Sequence, residues 1–374
     1  MTGVYVHLPF CPYICPYCDF AKWPYKASSA ARYVQALAAE IAASEPCYAG
    51  SVYLGGGTPN MYDTAAVAAL LAHLRRNFPG PLNRETTIET NPELLDLAAL
   101  KAYVASGVTR LSIGVQSFVD SEIRTLGRHH SAEQVKTAVK AARAAGIQSV
   151  SLDLIFGVPE QTPQAWRESL AAAVSLDPDH ISTYGLTIEP GTPYAKLYET
   201  ERSHFIDDDA QAELYAIAMD VLGTAGFEHY EISNFARPGH RCIHNVNYWT
   251  NGEYVGLGVG AASYCGGVRS VHTRDLETYI TSVMEHREIP QESERLEGAR
   301  RAGEAVMLAL RTSQGVSFAA FRERYGLEFL ATYAPIVDSY RAAGFLDVTP
   351  AGARLTKRGR FVANEICAAF VTVP

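Results

Sequence analysis

No apolar run in the chain approaches the roughly 18 residues that a bilayer-spanning helix needs, so no transmembrane segment is expected and only peripheral membrane contact stays open. Basic excess is also missing. Lys and Arg number 32 against 40 Asp and Glu, a net charge of −8, which argues against nucleic acid as a partner. The few clustered basics, Arg354, Lys357, Arg358 and Arg360, read as a solvated edge. The opening MTGVYVHLPF lacks the charged-then-apolar start of a secretory leader, so a cytoplasmic location is expected. Internal repeats, low-complexity stretches and obvious linkers are absent. With 374 residues, 48% apolar and 19% charged, one large globular domain and a smaller appended one are expected.

Cysteine is sparse except at one place. Cys47, Cys242, Cys265 and Cys367 are scattered singly and read as buried or inert thiols, whereas Cys11, Cys15 and Cys18 fall within eight residues.

What is present in the first half is an alternation. Apolar strand-like runs (GVYVHLPF, SVYLGGG, TTIETNP, LSIGVQSF, VSLDLIFGVP, HISTYGLTIEP) are separated by Ala/Leu-rich helical stretches, one of which should stop at Gly146. Six such repeats predict parallel strands joined by right-handed crossovers. Polar and glycine-rich residues recur just after each strand: Cys11, Gly55–Pro59, Glu89–Pro92, Gln116, Gly157–Pro159 and Glu189–Thr192. In α/β folds that edge is where ligands bind. Beyond Thr192 the alternation fades, and from about Arg300 helices followed by a hairpin predict a winged-helix-like end. The expected divisions are 1–192, 193–299 and 300–374.

Cys11-Pro-Tyr-Ile-Cys15-Pro-Tyr-Cys18 is a C-x3-C-x2-C loop behind the first strand. Three thiolates in one loop can serve a single centre, while iron–sulfur ferredoxin runs use four and structural zinc sites use two pairs. With no fourth cysteine nearby, one iron of a cluster would stay open.

C-x3-C-x2-C after the first strand with GGGTP after the second resembles the radical S-adenosylmethionine superfamily. YVHLPFC, GGGTPN, ETNP, GVQSF, LGRHH, DLIFGVP and YGLTIEPGT together resemble its coproporphyrinogen III dehydrogenase group, and HNVNYW with YEISNFA resembles the haem-chaperone branch of that group. The resemblance implies an α/β fold, a partial (β/α)6 barrel with the helical, winged-helix-like C-terminal domain. It implies a 4Fe–4S cluster on Cys11, Cys15 and Cys18, S-adenosylmethionine at the open iron, and haem as cargo for haem-acceptor proteins, with a reduced electron donor. Tyr5, Tyr17, Gly56, Gly57, Thr58, Glu89, Gln116, Arg128 and Asp153 match the group's S-adenosylmethionine contacts. His244, Tyr248 and Trp249 are the expected haem contacts, with Cys242 as an alternative ligand.

Glycine amides after a strand suit a ligand's polar groups, so valine at Gly56 or Gly57 is expected to block cofactor approach without disturbing the cluster. Arg128 and Asp153 can equally form a buried ion pair. Two departures count against the oxygen-independent dehydrogenase itself: Phe20 stands where a further cysteine is the pattern, and the long extension before the first strand is missing. Ala262, where the chaperone branch often has histidine, counts against one haem contact. A radical methyltransferase or cyclopropanase using two S-adenosylmethionine molecules is the other alternative.

Overall fold

The computed structural model describes residues 2–81 and 84–371. Six parallel strands form its centre: β1 (Thr2–Leu8), β2 (Ala49–Gly56), β3 (Glu85–Thr90), β4 (Arg110–Gln116), β5 (Ser149–Phe156) and β6 (His180–Gly185). Val4, Val6, Val52, Leu54, Ile88, Leu111, Ile113, Leu152 and Leu154 are fully buried along them, as continuous apolar strands covered by helices require. The crossover helices are α1 (Ala27–Ala43), α2 (Thr64–Asn77), α3 (Leu97–Ala105), α4 (Ala132–Ala145) and α5 (Pro163–Ser175), with α6 (Asp208–Thr224) after β6. Local chemistry sets their ends. Ser131 and Gln134 close a capping box at the start of α4, and Gly146 ends it at φ 92°, where a side chain would be strained.

The sheet extends past these six strands. Two short strands, β7 (Glu228–His229) and β8 (Asn234–Ala236), follow β6 at one edge, and helix α7 (Ile243–Trp249) comes next in the chain. At the other edge β9 (Tyr254–Leu257) pairs parallel with β1 and continues into the antiparallel β10 (Ala262–Cys265), β11 (Val268–His272) and β12 (Gln291–Arg295). The order is β12-β11-β10-β9-β1-β2-β3-β4-β5-β6-β8-β7, and its two ends do not pair, so the barrel is partial. The aromatic and glycine-rich stretch after Phe227 thus adds a seventh parallel strand, which its broken periodicity hides.

A second apolar core forms around Ala302, Val306, Phe321, Phe329, Tyr333, Ile366 and Phe370. Helices α8 (Leu276–Met284), α9 (Gly298–Leu310), α10 (Phe318–Tyr325), α11 (Phe329–Ala342) and α12 (Ala363–Val371) complete the chain, with a three-stranded wing of Val316–Ser317, Leu346–Val348 and Gly352–Leu355 packed among the last four. Among the described residues no helix is long and apolar enough to cross a membrane.

Candidate functional site

A cavity of about 540 Å³ opens at the carboxyl ends of the parallel strands, where the polar residues were expected to gather. Cys11, Cys15 and Cys18 all line it. Their loop is pinned at both ends, since Phe10–Cys11 pairs with Trp23–Pro24 and the Tyr25 N–H donates to the Cys11 carbonyl at 2.9 Å. Lys22 Nζ donates to the Cys18 carbonyl at 2.6 Å. Burial pushes the Cys11 thiol up to about 11, against a hydrogen bond from Thr58, and pushes Cys18 up as well. Thiols so disfavoured as bare anions need a cation, metal or cluster to ionise.

The glycines behave differently from expectation. Gly56 N–H donates to Glu89 Oε2 at 3.0 Å, Gly57 N–H to the Leu8 carbonyl at 2.9 Å and Thr58 N–H to the Phe10 carbonyl at 3.0 Å. All three amides are spent inside the protein, where they seat the end of β2 against the cysteine loop. A Cβ on Gly57 would lie 2.7 Å from the Leu8 carbonyl oxygen, and one on Gly56, at φ 105°, would lie 2.3 Å from the His7 ring. Valine at Gly57 would therefore press on the backbone that leads into the cysteine loop, and valine at Gly56 on the His7 ring. Amide direction is set by strand pairing, which a glycine run does not reveal.

Around the cavity stand Tyr17, Gly56, Gly57, Thr58, Glu89, Gln116, Arg128 and Asp153, eight of the nine positions matched to cofactor contacts. Glu89 accepts from Tyr53 Oη at 2.8 Å, and burial raises its carboxyl to about 7 with Asp153 adding to the rise. Asp153 accepts from Ser182 at 2.7 Å and Ser112 at 2.8 Å, yet burial still holds its carboxyl above the usual range. Gln116 takes φ 63° at a break in register between β4 and β5, a left-handed conformation that costs a non-glycine residue energy. Arg128 donates to Asn91 Oδ1 at 2.7 Å and to the Gly114 carbonyl at 2.8 Å, and Nη1 lies 3.9 Å from Cys15 Sγ. Among the described residues the cationic neighbour of Asp153 is Arg110 rather than Arg128, whose buried Nε has no hydrogen-bond partner. A buried cation beside a thiol suits an anionic centre.

The remaining match, Tyr5, does not line this cavity. Its hydroxyl shares a hydrogen bond with His7 Nδ1 at 2.9 Å, and it faces a second cavity of about 530 Å³ together with Tyr248 and Trp249. His244 is placed in neither. It is 1% exposed, its Nδ1 is 2.9 Å from Ser51 Oγ and its Nε2 is 2.8 Å from Tyr248 Oη, while its ring stacks on Tyr53. Burial lowers it to about 3. Both ring nitrogens are engaged with hydroxyls, so in this arrangement His244 serves buried contacts and presents no free nitrogen to a cavity. Cys242 offers no better ligand, because it is buried, donates to Glu85 Oε1 and is pushed up to about 12. The Glu85 carboxylate also accepts the His244 N–H at 2.9 Å and the Ile243 N–H at 3.0 Å, capping α7. HNVNYW thus anchors α7 to the sheet through the buried His244, while Tyr248 and Trp249 face the second cavity. Of the scattered cysteines, Cys265 is exposed rather than buried.

Sequence reasoning passed over Tyr53, Asn91, Ser112, Tyr184 and Leu186, all on the first cavity's wall. Asn91 sits inside the ETNP run and Tyr53 two residues before the glycines, but nothing local distinguishes them from strand filler.

Three thiols in one pinned loop, a buried guanidinium beside one of them and polar strand ends opposite fit a 4Fe–4S cluster with one iron left for a ligand. A structural zinc site draws four ligands in two pairs, whereas this loop supplies three cysteines, the number a cluster with one open iron uses. The fold and this cavity define a radical S-adenosylmethionine protein, and residues 5–173 match the radical SAM superfamily, residues 296–362 the HemN C-terminal domain. The structure of coproporphyrinogen III oxidase (HemN) from Escherichia coli superposes with a TM-score of 0.87 at 24% identity, covering 99% of this chain and 90% of that one, a likeness of fold. Heme chaperone HemW of Bacillus subtilis (strain 168) is 34% identical over 99% of both chains, and heme chaperone HemW of Escherichia coli (strain K12) is 37% identical over 69% of both. The chain belongs to the HemW family.

Proposed function

We propose that this protein is a haem chaperone that binds a 4Fe–4S cluster, S-adenosylmethionine and haem and passes haem to haem proteins. The observation that carries the reading is the end-to-end kinship with the heme chaperone of Bacillus subtilis, 99% of each chain. The geometry supports it, because two cavities, one with thiols and polar strand ends and one walled by aromatic rings, share the segment around Phe20. In this reading Cys11, Cys15 and Cys18 hold the cluster and Arg128 offsets its negative charge. Glu89, Gln116 and Asp153 bind the polar groups of S-adenosylmethionine, with Tyr17 beside its base. A 4Fe–4S cluster held there would leave one iron open to S-adenosylmethionine and would supply one-electron reducing chemistry. An external reduced donor is part of the proposal; exposed Ile14 and Phe20 lie on the cysteine-loop side of the cavity that such a donor would approach. Haem then belongs to Tyr248 and Trp249 rather than to His244. The divisions 1–192, 193–299 and 300–374 follow as cofactor barrel, aromatic extension and appended domain.

The test is anaerobic reconstitution followed, in the same sample, by a haem difference spectrum, transfer of haem to an apo-haem protein and a coproporphyrinogen decarboxylation assay. Saturable binding and transfer without decarboxylation are expected. Turnover of coproporphyrinogen would overturn the chaperone reading.

A further inference from the structure

The second cavity lies outside the six-stranded centre. Its wall is built by β1, the end of the cysteine loop, α7, the β9–β11 extension and Leu308 of α9. Tyr5, Phe20, Tyr248, Trp249 and Tyr254 give it flat apolar surfaces, and Phe20 is 65% exposed. A soluble protein leaves so large a ring uncovered at little gain, and an aromatic-lined opening of this volume is the form that small-molecule sites take.

Two guanidiniums complete the wall, Arg269 and Arg274. Arg269 gives Nη1 to Glu304 Oε1 at 2.6 Å, which fixes its plane. Arg274 gives Nη2 to the Asp19 carbonyl and stands 3.7 Å from the Asp19 carboxylate, a pair more than half exposed on both sides. An exposed pair of that kind exchanges partners at little cost, while each guanidinium has five N–H donors and uses few of them here. The histidine on this wall, His7, has both nitrogens engaged, with Tyr5 Oη at 2.9 Å and the Ala21 carbonyl at 2.7 Å. Tyr248 Oη is shared with His244. Tyr254 Oη is shared with Arg269, so the wall suits a flat ring and carboxylates and offers a metal no ready ligand.

We propose that this cavity binds a tetrapyrrole by its macrocycle and its carboxylate edge, with Arg269 and Arg274 as the carboxylate clamp and without a protein ligand to the central metal. The proposal rests on the chaperone reading and names its site. Binding through ring and carboxylates permits release, since no coordinate bond has to break before the cargo leaves.

The experiment titrates reconstituted full-length protein with haem, with metal-free protoporphyrin IX and with protoporphyrin IX dimethyl ester, following absorbance and fluorescence. Wild type should bind haem and the metal-free diacid within about threefold of each other and the diester at least about tenfold more weakly. Arg274→Gln should weaken the diacid about tenfold, and the Arg269→Gln/Arg274→Gln double variant more, with diester binding and cluster absorbance unchanged. Arg274 is exposed, so the single variant folds even where the double does not. Equal binding of diacid and diester, or an unaltered diacid affinity in Arg274→Gln, overturns the clamp. A haem affinity far above that of the metal-free ring overturns the claim that no metal ligand is used. If wild type binds none of the three, the chaperone reading itself falls; if it binds haem while only substitutions in the cysteine-lined cavity weaken binding, the chaperone reading stands and this site is wrong.

Discussion

Replacing His244 by glutamine separates a haem ligand from a structural plug. The folded chain holds this imidazole neutral at about 3, whereas the unfolded chain takes up its proton near 6.5, the ordinary value. Between those values the unfolded state binds more protons, so His244 costs stability as pH falls through about 6.5 and the cost grows until about 3. At pH 7 that cost is about 0.2 kcal/mol and at pH 5 about 2 kcal/mol. Glutamine does not titrate, but it loses the stacking on Tyr53 and cannot keep both hydrogen bonds, to Ser51 and Tyr248. That loss amounts to about 1–3 kcal/mol at neutral pH. His244→Gln should therefore be less stable than wild type at pH 7 and recover about 2 kcal/mol relative to it at pH 5. Urea midpoints for the apo protein at the two pH values read the difference, and a haem titration of the folded variant at pH 7 should give an affinity within about twofold of wild type. A stability gap that is the same at pH 5 and pH 7, or a variant of full stability that no longer binds haem, would refute the reasoning and return His244 to the iron.

Serine at Cys11, Cys15 or Cys18 should abolish the brown absorbance of reconstituted protein, while serine at Cys47 or Cys265 should leave it, because only the first three share the cavity. Gly57→Val should lose cluster and S-adenosylmethionine binding together, read by absorbance and calorimetry, since its side chain would strike the carbonyl of Leu8 beside the cysteine loop. Retained cluster with lost cofactor would restore the simple blocking picture. Glu89, raised to about 7, should be pulled down by a cationic ligand, so S-adenosylmethionine affinity should rise as pH increases through 7 and flatten above it, and binding near pH 7 should release protons detectable by calorimetry in buffers of different ionisation enthalpy. Gln116→Gly should relax the φ of 63° and gain about 0.5–1 kcal/mol in urea unfolding, yet weaken S-adenosylmethionine binding by removing a polar wall group.

The alternation of apolar runs and helical stretches and the cysteine loop behind β1 were legible in the amino-acid sequence, because period, caps and turn residues act within a few positions of one another. The same locality brought Glu89, Gln116, Arg128 and Asp153 to one edge, since the end of each parallel strand opens on the same side of the sheet. Where each polar group points was not legible. The Gly57 and Thr58 amides are claimed by Leu8 and Phe10, Arg128 by Asn91 and Gly114, and His244 by Ser51, which lies 193 positions away in the chain. Tyr5 lies in the first strand, yet pairing of β9 with β1 gives it the aromatic cavity and not the cysteine-lined one. A hydrogen bond is satisfied by whichever partner the packed chain delivers, and that delivery depends on strand order and register, which no local pattern encodes.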